Sequence, residues 1–101
     1  MLRKGARFRV RHDWPTHAAV IYGAPVTGGF DCVLPRDTIL CIDQDPKPGS
    51  TGFWAKVERY EEYERLLVPP TILADEEYDH FGFAISADDL NAHLDQLPSN
   101  T

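Results

Sequence analysis

The stretch Leu34–Leu73 constrains this chain most, because its punctuation leaves few ways to arrange what lies between. It reads LPRDTILCIDQDPKPGSTGFWAKVERYEEYERLLVPPTIL: an apolar strand, a Pro/Gly loop, an alternating strand, a charged turn and a Val-Pro-Pro exit. Successive side chains of a strand point to opposite faces. Phe53, Ala55 and Val57 therefore share one face, and Trp54, Lys56 and Glu58 the other. The apolar face needs a core, and a face that mixes an indole with charges looks outward. This predicts a mainly β protein, a small, strongly bent barrel of about five to six antiparallel strands with a C-terminal helix.

Length and charge narrow the choice. A chain of 101 residues makes a single domain over 1–101, with enough surface to bury for one core. The sequence holds no run of about 18 apolar residues, so no membrane-spanning helix is expected. MLRKGARFRV carries basic residues with no apolar segment behind them, so a secretory signal is not expected and the cytoplasm is the expected compartment. Cys32 and Cys41 lie in apolar strand patterns and read as free, core-facing thiols.

Five of the ten Lys/Arg fall in the first eleven residues, where there are no acids, and the net charge is −6. That balance argues against a general nucleic-acid binder, which needs cations to neutralise phosphates. Arg7, Arg9 and Arg11 share one strand face and are expected to lie against the chain's own acidic turns. Their alternative use is tracking the phosphates of a single strand.

In chain order, residues 6–12 alternate as a strand, and Asp13-Trp14-Pro15-Thr16 breaks it, since proline has no amide hydrogen for a ladder. Ala18–Tyr22 is a second apolar run, and a loop with Gly23, Pro25, Gly28 and Gly29 follows. Phe30–Leu34 and Thr38–Asp43 read as strands, the second central because both its faces are apolar. Residues 60–67 are ambiguous: Tyr60, Tyr63, Leu66 and Leu67 have helical spacing, but eight residues without an N-cap make a marginal helix, so a hairpin is expected. Phe81, Phe83 and Ile85 alternate as a last strand, which either offers an edge for pairing between subunits or is shielded by the C-terminal helix. Ser86 then caps a helix over about 87–97, with Leu90, Leu94 and Leu97 on one side, and the polar tail after Pro98 frays.

Leu34–Leu73 resembles the body of an SH3-like barrel. LPRDTILCI is similar to the diverging turn and following strand of SH3 domains, and QDPKPGSTG stands where their variable loop falls. Trp54-Ala55-Lys56-Val57-Glu58 resembles their Trp-Trp-Lys-Val-Glu strand, and Leu67-Val68-Pro69 their Phe-Val-Pro exit. The resemblance covers about forty residues. It implies a groove for a protein or peptide partner with Trp54 and Pro69 in it, and Trp14, Tyr22 and Tyr60 as helpers. It departs from the family at Ile72, where a groove tyrosine belongs, and at Arg7–Asp13, which lacks the Ala-Leu-Tyr-Asp-Tyr signature. Sm-like RNA-binding barrels share the bent sheet, but their sequence signature is missing.

Catalytic patterns are lacking: no G-x-S-x-G, glycine-rich phosphate loop, H-E-x-x-H or C-x-x-C occurs. No enzyme activity, cofactor or resident metal is therefore expected. His12 and His17 flank a turn and Asp75–His80 is acidic, but neither spacing enforces convergence on a metal. The expected function is a non-catalytic interaction module, with binding residues Trp54, Pro69, Ile72, Trp14 and Tyr60. Single-stranded nucleic-acid binding through Arg7, Arg9 and Arg11 is the alternative. Trp54 is either exposed to a partner or covered by the C-terminal helix, and the sequence leaves both open.

Overall fold

The computed structural model describes residues 2–23 and 27–98. The middle of the Gly23–Gly29 loop and the polar tail lie outside the described residues. Among the described residues, seven strands follow in chain order: β1 (Arg7–Val10), β2 (Trp14–Tyr22), β3 (Thr27–Leu34), β4 (Ile39–Ile42), β5 (Gly52–Val57), β6 (Tyr78–Ser86) and β7 (Leu94–Gln96). Helices α1 (Tyr60–Leu67) and α2 (Pro70–Leu73) join β5 to β6, and α3 (Ala87–His93) joins β6 to β7. All neighbouring strands are antiparallel, in the order β3-β2-β6-β5-β4-β1-β7. The mainly β expectation holds, but the ladder is one open sheet of seven strands, with β3 and β7 as its two ends.

The sheet is nonetheless strongly curled, and short connections force it. β1 and β2 stand four places apart in the sheet, about 19 Å if it were flat. Only Arg11, His12 and Asp13 join them, a reach of at most about 14 Å. The turn from β3 to β4 closes the same corner: the Asp37 amide donates to the Val10 carbonyl, and the Val10 amide to the Thr38 carbonyl, each at 2.9 Å. Asp37 takes a left-handed backbone conformation (φ 73°) to make that turn.

Curling brings one row of apolar side chains together. Phe8, Val10, Ala18, Val20, Phe30, Leu40, Ile42, Phe53, Ala55, Val57, Phe81, Phe83 and Ile85 are all buried. Phe8 stacks on Phe53 at 5.4 Å although β4 lies between their strands. The alternation in β5 is as the sequence reads it, with Phe53, Ala55 and Val57 inward.

Four readings need correction. Residues 60–67 form a helix, not a hairpin. A hairpin strand there would have to run along β5, whose Gly52–Ala55 pairs with β6 and whose Ala55–Val57 pairs with β4. Tertiary contacts supply what the short helix lacks alone: the Tyr60 ring packs 5.0 Å from Phe81, and the Phe81 amide donates to Tyr60 Oη at 3.0 Å. The C-terminal helix ends at His93, and Leu94–Gln96 pairs with β1 as a strand, covering an edge that would otherwise be bare. Its start matches expectation: the Asp89 amide donates to Ser86 Oγ, and the Ser86 amide to the Asp89 carboxylate, both at 3.1 Å. Residues 81–85 do not form an end of the sheet: Phe81 and Gly82 pair with β2, and Phe83 to Ile85 with β5. Lastly, β2 begins at Trp14 and runs through Pro15. β6 joins it only from Tyr22 to Ala19, so the missing amide at Pro15 costs no bond on that side.

Candidate functional site

On the outer face of the sheet, the residues opposite one another across three strands are Gly82 of β6, Ala19 of β2 and Gly29 of β3. This is a shelf of small residues with Trp54 beside it, since Trp54 faces Ala84 of β6. The indole lies across Gly82 so closely that a Cβ built there would stand 2.6 Å from its Cε2 and nearer still to Cζ2. Gly82 is therefore buried, while Ala84 beside it is exposed and Trp54 is half-buried. The His80 ring meets the indole edge-on, with centroids 6.3 Å apart. Glycine inside a strand often marks such close approach, and here it lets an aromatic ring lie flat on the sheet.

The indole borders a cleft of about 450 Å³ under the β4–β5 loop, lined by Asp45, Pro46, Lys47, Ser50 and Thr51 from the loop and Ala84 to Ser86 from β6. A second cleft of similar volume lies across Gly52 and Phe53, against Leu2, Ala87 and Leu90. The loop is braced by the Lys4 amide, which donates to the Asp45 carboxylate at 2.6 Å. Lys56, on the indole's own face, is paired with Asp43 at 3.3 Å. The cleft thus combines an aromatic wall, one proline and a few polar groups, a composition suited to taking up a side chain or short segment.

The other expected binding residues are not gathered here. Trp14 is buried at 4% exposure and stacks on the His93 ring at 4.6 Å; it belongs to the interior, not to a groove. Pro69 precedes α2, in the helical connection that leaves the Val57 end of β5, whereas the Trp54 cleft lies toward the Gly52 end. Ile72 and Tyr60 pack against the core from those helices. Tyr60 Oη also lies 3.3 Å from Tyr78 Oη, which donates to a Glu64 carboxylate oxygen at 2.6 Å. Tyr22 packs on the core near Gly28.

The three arginines are each held by the chain's own acids. Arg7 pairs with Glu58 at 2.8 Å, and Arg9 with Asp95 at 3.3 Å and Asp37 at 3.7 Å. Arg11 pairs with Asp95 at 3.2 Å and donates to the Leu94 carbonyl at 3.1 Å and to that of Asn91. Phosphate binding would have to compete with these partners.

Both cysteines are free. Burial, and then the Asp31 carboxylate, push the Cys32 thiol up to about 11, and burial raises Cys41 as well, ahead of Glu58 and Asp43. Such thiols stay protonated and are poor nucleophiles at neutral pH. Among the described residues, no group of three or more His, Cys, Asp or Glu side chains converges on a metal position. His17 pairs with Asp31 and His80 with Asp79, while His12 meets His93. No described helix is long and apolar enough to cross a membrane.

Sequence reasoning missed the glycine under the indole and the meeting of His12 with His93. The first had a signal, a lone Gly82 between Phe81 and Phe83. The second had none, as 81 residues separate the two histidines. No family model, curated protein or solved structure matches this chain.

Proposed function

We propose that the protein is a non-catalytic interaction module that receives a protein or peptide segment on the outer face around Trp54. The observation that carries this reading is the indole itself, laid half-exposed on a glycine beside the β4–β5 loop cleft. Tryptophan in such a setting offers large, rigid contact area at small entropic cost, and it is enriched where binding energy concentrates. Asp45, Lys47 and Ser50 at the rim supply polar groups that fix orientation. The proposed contact surface is Trp54 with this loop; Pro69 and Ile72 lie apart from it and are not required. The SH3-like resemblance rests on sequence motifs alone, and the proposal does not depend on it.

Affinity capture with the purified protein as bait tests it. A partner retained by wild type and lost with Trp54→Ala, shown by circular dichroism to be folded, supports the reading. Equal retention by both proteins overturns it.

A further inference from the structure

His12 lies in the link between β1 and β2, and His93 is the last residue of α3. The curl of the sheet brings them together, with His12 Nε2 2.9 Å from His93 Nδ1 and the two rings at 74°. His93 is held on two sides. Its ring lies flat on the buried Trp14 indole, 12° from parallel, and its carbonyl accepts from the Arg11 amide at 2.9 Å. Arg11 adds further bonds from its guanidinium to the carbonyls of Asn91 and Leu94. His12 is exposed, so water reaches the nitrogen pair from outside.

The geometry points to a two-imidazole site in which His12 and His93 together ligate one late first-row divalent cation of the Ni²⁺ or Cu²⁺ kind. Two nitrogens each about 2.0–2.1 Å from an ion lie about 2.9 Å apart when they subtend roughly a right angle, and about 3.4 Å apart at the tetrahedral angle. The observed separation fits the first, which is the angle of square-planar and octahedral ions. Neutral imidazole is the ligand form. The ring that donates in the free protein passes its facing proton, through water, to its own other nitrogen, so each neutral ring carries its one N–H on the far side and each facing lone pair forms one bond to the ion. Water completes the coordination. The charged residues on either side of His12 in sequence are already engaged: Arg11 by Asp95, and Asp13 by the Arg36 amide, which donates to it at 2.9 Å. His17 and His80 each contact a single carboxylate and serve as internal controls.

The test uses untagged protein and Ni²⁺, which does not oxidise the free thiols. Wild type in excess Ni²⁺ is expected to melt about 5 °C or more higher than in chelator, the shift for a ligand well above its Kd in a domain of this size. His17→Ala keeps that shift and His12→Ala abolishes it. Paramagnetic broadening in proton spectra reaches the His12 and His93 ring signals before those of His17 and His80. His12→Gln, which retains a hydrogen bond to His93, replaces the alanine variant should the latter loosen the corner. No shift in wild type, an equal shift without His12, or broadening that begins at His17 or His80 overturns the proposal.

Discussion

Replacing Gly82 with alanine probes the placement of the Trp54 indole directly. The new methyl would stand 2.6 Å from indole Cε2 and 3.0 Å from the Ala55 carbonyl oxygen. The carbonyl belongs to the sheet and gives little, so the indole must lift. Overpacking of this kind costs about 1–3 kcal/mol. Against it stands the gain from a less flexible unfolded chain, roughly 0.4–1 kcal/mol for Gly→Ala. The net loss expected for Gly82→Ala is about 1–2 kcal/mol. In a Trp54→Ala background the indole is gone and only the tight carbonyl contact remains, so the same change should cost less by about 1 kcal/mol. Urea unfolding followed by far-ultraviolet circular dichroism, on wild type, both single variants and the double variant, gives that coupling. Independent sites add to within about 0.3–0.5 kcal/mol. If Gly82→Ala costs the same in both backgrounds within that margin, the indole does not lie on Gly82 and the described outer face is wrong.

Two further outcomes follow from the same structure. Ser86→Ala removes one half of the capping box at α3 and should cost about 1 kcal/mol in urea unfolding. A Cys32 thiol raised to about 11 in the folded state stabilises fully below the unfolded thiol value of about 8.5, and that contribution is lost as pH climbs toward 11. Melting temperatures across this window should fall less steeply for Cys32→Ala than for wild type. Tyr78, also raised, first by burial and then by its bond to Glu64, adds a further loss above about pH 10 in both proteins. Parallel slopes for the two proteins below pH 10 would refute the thiol assignment.

Strand alternation was legible because it is a local property. The inward set Phe53, Ala55, Val57 and the outward parity of Trp54 follow from period two alone. The Ser86 cap was legible for the same reason, its partner Asp89 being three residues away. Residues 60–67 were not, because the choice between helix and hairpin depends on whether the flank of β5 is vacant, and that is decided by β6, over twenty residues on. Leu94 and Leu97 extend a helical stripe on paper, yet the need of β1 for a neighbour outweighs the spacing. The arginines were read correctly as facing acids, but their partners Glu58, Asp37 and Asp95 come from three separate elements. Of the expected binding residues, Trp54 alone borders the cleft described here. Trp14 was misplaced because the Pro15 beside it suggested a break, when the chain instead turns at Arg11–Asp13 and buries the indole behind it.

The two tryptophans face opposite environments, Trp14 inside the curled sheet and Trp54 on its outer shelf. Proton–nitrogen spectra of the free protein in a neutral paramagnetic co-solute measure this directly through the two indole N–H signals. The Trp54 signal should broaden steeply with co-solute while that of Trp14 stays sharp. Equal protection of both signals, or broadening of Trp14 first, would refute that placement of the two indoles.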